Sequence, residues 1–129
     1  MTDDLFIDSQ RFSRGNRLLQ AEAYDEVFKR AQRSSDQYFT VLYCRNGLGY
    51  PRLGLAIAKK RVRRAVGRNR LKRVVRESFR RAKKQLLGTD IVIMARDRAA
   101  VAANPDLFAS LDRHWQAIAK KSRGHDSGQ

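Results

Sequence analysis

Fourteen basic side chains lie between Lys59 and Lys84, against a single acid, Glu77. They carry thirteen of the chain's fifteen net positive charges, so the rest of the sequence is nearly neutral. A helix face built only for solubility interleaves signs and gains about 0.3 kcal/mol per opposite pair. Here Lys72, Arg73, Arg76, Arg80, Lys83 and Lys84 fall on one arc of a helical wheel and repel one another. Such an arc suits a polyanion, because phosphates neutralised by Lys and Arg release counterions, and that release supplies most of the affinity. Arginine predominates from Arg61 to Arg81, and a guanidinium forks onto phosphate oxygens or stacks on bases. A second set of residues is aromatic. Tyr24 and Phe28 stand four apart in a helical pattern, and Phe39, Val41 and Tyr43 alternate along a strand. Rings on a helix beside an exposed strand face would stack unpaired bases at about 1–3 kcal/mol each. The plainer reading puts Tyr24 and Phe28 in the core, where Phe79, Phe108 and Trp115 belong.

Enzyme chemistry is poorly represented. His114 and His125 are the two histidines, one on the last helix and one in the tail, which does not suit a paired acid and base. Asp25, Glu26, Asp36, Asp90, Asp97, Asp106 and Asp112 are scattered, with no spacing that sets up a two-metal nuclease centre. No glycine-rich phosphate loop or nucleophile motif is present. These residues describe an RNA-binding module with no catalytic residues and no metal ligands of its own. A sequence-neutral DNA-binding protein is the rival with a different polyanion.

The elements that must position these residues follow from periodicity. Leu18, Ala21, Tyr24, Phe28 and Ala31 mark an amphipathic helix over about 20–31, and 37–45 (QYFTVLYCR) reads as a strand. The Gly- and Pro-rich stretch 46–51 is a turn, and Leu53–Ala58 alternates large with small residues, which predicts a hairpin between these strands. The small face of the second strand leaves room for a close approach, by a helix or a ligand. Leu71, Val74, Val75, Phe79, Ala82 and Leu86 back the basic helix over 68–87, closed by Gly88. Asp90–Arg96 reads as a strand covered on both faces, and Asn104-Pro105 starts a closing helix that runs to about Lys121. The order is α-β-β-α-β-α, a sandwich of helices on a small sheet, with a β-α-β crossover that is right-handed by default.

With 129 residues there is room for one domain. Cys44 is the lone cysteine, so no internal disulfide forms and a reducing compartment fits. The start, Thr2-Asp3-Asp4, lacks the basic region of a secretory signal, and no apolar run reaches the ~20 residues of a membrane span. The expectation is a cytoplasmic protein.

The stretch RLGLAIAKKRVRRAVGRNRLKRVVRESFR, Arg52 to Arg80, closely resembles the bacterial ribonuclease P protein component. Arg68-Asn69-Arg70 continued by Lys72, Arg73, Arg76 and Phe79 is the specific part. Asn16-Arg17-Leu18 with Tyr24 and Val27-Phe28 resembles the family's first helix, and Asp90–Arg96 its last strand. Tyr24 departs from the family's more frequent Phe.

The resemblance implies a ribonucleoprotein that removes the 5′ leader from precursor tRNA, with hydrolysis and its Mg²⁺ ions in the RNA subunit and no cofactor intrinsic to the protein. It implies that Arg68, Asn69, Arg70, Lys72, Arg73, Arg76, Lys59, Lys60, Arg63 and Arg64 bind the catalytic RNA. It puts Tyr24 and Phe28, with Phe39 or Tyr43 from the sheet, against the single-stranded leader. It also implies an α+β sandwich of order α-β-β-β-α-β-α, with an extra strand near Gln32–Ser35 and a left-handed crossover. Residues 14–121 would form the domain, with 1–13 and 122–129 flexible. No membrane and no obligate protein partner are expected. The alternative is a ribosomal or other structural-RNA-binding protein without a role in cleavage.

Overall fold

The run Asp90–Ala95, apolar at nearly every position after its first, can leave neither face in water, and it becomes an inner strand of a four-stranded sheet. The computed structural model describes residues 21–127, with side chains described for Asp25 and 27–121. Asn16–Leu18, residues 1–13 and the ring of Tyr24 therefore lie outside the described residues. In chain order the elements are α1 (Ala21–Arg30), β1 (Gln32–Ser35), β2 (Phe39–Arg45), β3 (Arg52–Ala56), α2 (Ala65–Ala82), β4 (Thr89–Ala95) and α3 (Asn104–Ser127). Short 3-10 helices cover Lys83–Leu86 and Asp97–Val101. This is an α+β arrangement with β1 where the resemblance implied it.

The sheet order is β1-β2-β4-β3. β4 runs antiparallel to β2, with Leu42 opposite Val92, and parallel to β3, with Gly54 opposite that same Val92. The expected β2–β3 hairpin is therefore corrected: the turn at 46–51 is real, but β4 inserts between its two strands. The physical reason lies in β4, whose unbroken apolar run from Ile91 to Ala95 has to be covered on both faces and so occupies an inner position. β1, with sequence QRSS, has no apolar pattern and exists by pairing with β2. α2 begins at Ala65, a turn earlier than its apolar stripe requires, and α3 continues past Lys121 to Ser127. Gly88 follows the 3-10 turn at φ 74°, a left-handed conformation that glycine adopts without strain.

Two apolar layers result, one on each face of the sheet. On the inner face Phe39, Val41, Tyr43, Leu53, Ile91 and Ile93 meet Leu71, Val74, Val75 and Phe79 of α2 and Leu107, Leu111, Trp115 and Ile118 of α3. Trp115 packs edge-on to Phe79 with centroids 6.2 Å apart, and its indole N–H donates to Ser78 Oγ at 2.7 Å. On the outer face Val27 of α1 packs on Leu42 and Val92, flanked by Ala31, Cys44 and Met94. Phe39 is 0% and Tyr43 8% exposed, so the strand face expected to meet a leader is instead buried under α2 and α3. Both faces of β2 are apolar because both are covered, and alternation alone does not say which helix takes which.

β1 is fastened to α3 by a polar cluster. His114, 3% exposed, holds Ser34 Oγ at 2.7 Å from its Nδ1, while its Nε2 faces Asp36 Oδ2 at 3.3 Å. Asp36 accepts from the Ser110 hydroxyl and from the backbone N–H groups of Tyr38 and Phe39, closing the β1–β2 turn, and Arg113 stands 3.8 Å away. Burial holds the His114 imidazole below its ordinary pKa of 6.5, against the pull of Asp36. For Asp36, burial pushes the carboxyl up, but Ser110, the two backbone donors and His114 together bring it below 3.8. The unfolded chain therefore binds the histidine proton first as pH falls, and stability drops as pH goes down through 6.5 until the folded-state pKa is passed. The Asp36 contribution is present above 3.8 and is lost as pH falls further. Denaturant midpoints of wild type should decline between about pH 7 and 5.5, whereas those of His114→Asn should stay flat there. Equal slopes would show that His114 is not the group responsible.

Candidate RNA-binding surfaces

The first surface is the solvent side of α2 with the loop before it. Packing of Leu71, Val74, Val75, Ser78, Phe79 and Ala82 inward turns Asn69, Arg73, Arg81 and Lys84 fully outward and leaves Lys72, Arg76 and Arg80 half-exposed. Lys59, Lys60, Arg63 and Arg64 are exposed on the loop. A recess of about 440 Å³ lies between that loop and the start of α2, bordered by Lys60, Arg63, Arg64, Val66, Gly67 and Ala100. The first turn of α2 has no acidic residue, so the positive end of the helix dipole and three arginines (Arg63, Arg64, Arg68) share one place. An anion relieves that conflict.

Not all of the arc points to solvent. Arg80 Nη2 and Nε reach both oxygens of Glu77 at 2.6 and 3.0 Å, and Arg81 Nη2 reaches the same carboxylate at 2.9 Å. The Arg80 guanidinium beside it, opposed by partial burial, holds the Glu77 carboxyl below its ordinary pKa. Arg68 and Arg70 turn back onto the protein. Arg68 Nη1 donates to the carbonyls of Val62 at 3.0 Å and Arg63 at 2.8 Å. Arg70 Nη1 donates to Asn104 Oδ1 at 2.6 Å, and its Nη2 to the carbonyls of Ala99 and Ala100, each at 3.4 Å. The family resemblance put both arginines on the catalytic RNA, and the carbonyl and amide oxygens that each reaches come near only in the folded chain.

The second surface is on the other side of the sheet. Register places Thr40, Leu42, Cys44, Asp90, Val92, Met94, Arg52, Gly54 and Ala56 on one face, and α1 lies over the part made by β2 and β4. Phe28 sits at the rim of α1, 51% exposed beside the fully buried Val27. Ala56 is exposed, and Gly54 adds no side chain, so the floor by β3 is low. Alternating small residues in 54–58 signalled this floor. The residues missed were Arg52, which shares their face by alternation along β3, and Leu42 and Met94, which join them only through the β2–β4 and β3–β4 registers.

At the Ser35 end of the same face is a recess of about 640 Å³ bordered by Arg33, Thr40, Arg61, Met94, Arg96 and Arg98. Asp97 is the acid there, 3.3 Å from Arg61. At the other end Asp90 accepts from Arg52 Nε and Nη2 at 2.9 and 2.7 Å and from Asn46 Nδ2 at 2.8 Å. Asn46 also accepts from the Leu48 N–H and donates to the Tyr50 carbonyl, which fixes the 46–51 turn against β4. Among the described residues no group of three or more His, Cys, Asp or Glu is placed to hold a metal ion, and no helix is long and apolar enough to cross a membrane.

The family model for Ribonuclease P matches residues 12–119. The "Ribonuclease P protein component" of Vibrio parahaemolyticus is 42% identical over 118 residues, 92% of this chain and 100% of that one. That of Aliivibrio fischeri is 46% identical over 113 residues, 88% of this chain and 97% of that one. Among solved structures, the RNase P protein of Staphylococcus aureus superposes with a TM-score of 0.73 at 31% identity, covering 81% of this chain and 95% of that one. The RNase P protein of Thermotoga maritima gives 0.72 at 33% identity, covering 79% and 96%. With a matched family model over most of its length, relatives above 40% identity and solved RNase P proteins that superpose at TM-scores above 0.7, the chain belongs to the ribonuclease P protein component family.

Proposed function

We propose that the chain, as the protein component acting with the ribonuclease P RNA in tRNA 5′ processing, holds two RNAs at once on opposite faces of its sheet. The catalytic RNA lies along α2 and the basic loop, through Lys59, Lys60, Arg63, Arg64, Asn69, Lys72, Arg73 and Arg76, with Arg68 and Arg70 belonging to the same surface. The 5′ leader of the precursor runs across the outer face, with Phe28 at the rim of α1 as a stacking platform beside Met94 and Ala56, and Tyr24 of the same helix as the second aromatic of this reading. Its phosphates are taken up by Arg33, Arg96 and Arg98. Phe39 and Tyr43 have no part in this, being in the inner core.

The observation that carries the reading is the opposition of the two surfaces. The solvent side of α2 lies beyond the inner face of the sheet and the cleft lies on the outer face, and the recesses beside them meet at Arg61 and Asp97, which border both. Among the described residues the carboxylates are engaged or scattered, which is compatible with Mg²⁺ held by the RNA subunit, where this reading puts it. The protein adds leader contacts and screens phosphate repulsion, which raises substrate affinity and lowers the metal requirement. The working compartment is the cytoplasm. A structural-RNA-binding protein of the ribosomal kind would carry the basic arc without needing the cleft.

The test is cleavage of a leader-bearing precursor tRNA at low Mg²⁺ by catalytic RNA alone, protein alone and the two together. Cleavage by the mixture only is expected. Cleavage by the protein alone would mean a catalytic centre in the protein, and a mixture no better than RNA alone would return the chain to the structural-RNA class.

A further inference from the structure

Within Arg68-Asn69-Arg70 the side-chain directions are the reverse of what charge suggests. The two arginines end on carbonyl and amide oxygens of the protein itself, and the asparagine between them is exposed. We infer that Arg68 and Arg70 are positioning residues, which shape the RNA-binding surface by fastening other segments to α2, and that Asn69 is the member of the three that faces the RNA.

What they fasten supports this. Val62 and Arg63, whose carbonyls Arg68 takes, belong to the loop that presents Lys60, Arg63 and Arg64. That loop is otherwise held by Val62, 2% exposed, whose Cγ1 fits against Gly67 so closely that a Cβ there would stand 3.2 Å away. Its backbone turns through Arg61 and Val62 N–H bonds to the Ala58 carbonyl, each 3.1 Å. Arg70 in turn ties α2 to the 3-10 helix Asp97–Val101 and to the first residue of α3, and Ala100 there borders the recess beside the loop. A loop with five exposed cations, of which Arg61 alone has an acid beside it among the described residues, in Asp97, resists compact placement through mutual repulsion. The Arg68 guanidinium, donating to two of the loop's own carbonyls, holds it in one geometry before RNA arrives, and Arg70 fixes the neighbouring 3-10 helix and α3 against α2, so less ordering entropy is lost on binding.

The inference rests on the reading that α2 and the loop bind the catalytic RNA, and salt dependence separates it from that reading. A side chain that neutralises a phosphate contributes about one unit to the slope of log K against log salt, whereas one that only positions others contributes none. Wild type, Arg68→Ala, Arg70→Ala and, as the phosphate-contact comparison, Arg73→Ala are titrated with the catalytic RNA across a salt series, at a temperature where each is folded by circular dichroism. Arg73→Ala should lower the slope by about one. Arg68→Ala and Arg70→Ala should weaken binding about 10-fold at fixed salt with the wild-type slope unchanged.

A second variant covers the case in which an arginine variant fails to fold. Asn104→Ser, at an exposed position, is too short to reach Arg70 and changes no charge. It should weaken RNA binding at unchanged slope, while a phosphate-contacting Arg70 would be released and would bind as well as wild type or better. Slopes reduced in Arg68→Ala and Arg70→Ala as in Arg73→Ala, or full affinity in Asn104→Ser, overturn the inference. Absence of RNA binding by wild type would instead overturn the assignment of the surface.

Discussion

Phe28→Ala is expected to weaken binding of a leader-bearing precursor tRNA by about 5- to 150-fold, the range that follows from about 1–3 kcal/mol for one stacked base. Binding of mature tRNA, which has no leader, should be unchanged. The separation arises because Phe28 is 51% exposed at the rim of α1, whereas its neighbour Val27 carries the packing against Leu42 and Val92. Removing the ring therefore takes away a platform and leaves the outer core intact. Phe28→Tyr, with the same ring face, should retain most of the affinity. Matched measurements on precursor and mature tRNA with the assembled holoenzyme decide it. An equal loss for both RNAs would place Phe28 in the fold and not in the cleft.

The second large effect is on stability. Asp90→Ala should cost about 3 kcal/mol or somewhat more, because it leaves a half-buried guanidinium and a turn amide without their common acceptor. The carboxylate is 6% exposed and receives three hydrogen bonds, two from Arg52 and one from Asn46. Arg52 keeps 27% of its side-chain surface in water, which puts the cost at the lower end of the range for buried pairs. For a domain of this size the melting temperature should fall by about 10–15 °C. Asp90→Asn, which retains one acceptor and loses the charge, should fall between the two. A melting temperature within about 3 °C of wild type for Asp90→Ala would show that water replaces the carboxylate without loss.

How much of this was legible in the sequence depends on whether a feature is local. The stripe Leu71, Val74, Val75, Phe79, Ala82 and Leu86 is a property of one helix and its turn, and every member is buried as its spacing requires. The double-sided burial of β4 was equally visible, in Ile91, Val92 and Ile93 running without a polar break. The partner of each strand was not visible. β2 and β3 are joined by a short glycine-rich turn, which usually marks a hairpin, and nothing in either strand says that a segment more than thirty residues later will part them. Strand faces suffered for a related reason. Phe39 and Tyr43 are the larger side chains, and the larger layer of α2 and α3 took them, while Leu42 went to α1. β1 came from family resemblance alone, since QRSS carries no apolar signal. Of the basic residues the sequence located the surface but not each side chain's direction. Arg68 and Arg70 find carbonyls that only the folded loop and the start of α3 bring to them.

The sheet order has a consequence for how the molecule comes into being. β4, the strand that joins β2 to β3, is the last of the four to be synthesised. On a growing chain the β1–β2 pair can close early around Asp36, but β3 has no neighbour until Thr89–Ala95 leaves the ribosome. Until then the apolar side of α2 is uncovered, and α3, which completes the inner layer, has not been made. The cationic segment is thus present as charge well before it exists as a shaped surface. Long-range parallel pairing of this kind is slow to form, and an incomplete chain exposes both an open strand edge and a hydrophobic stripe. Competence to recognise RNA is therefore conferred late and all at once, when the C-terminal third of the chain docks, and nascent fragments carry the charge without the selectivity.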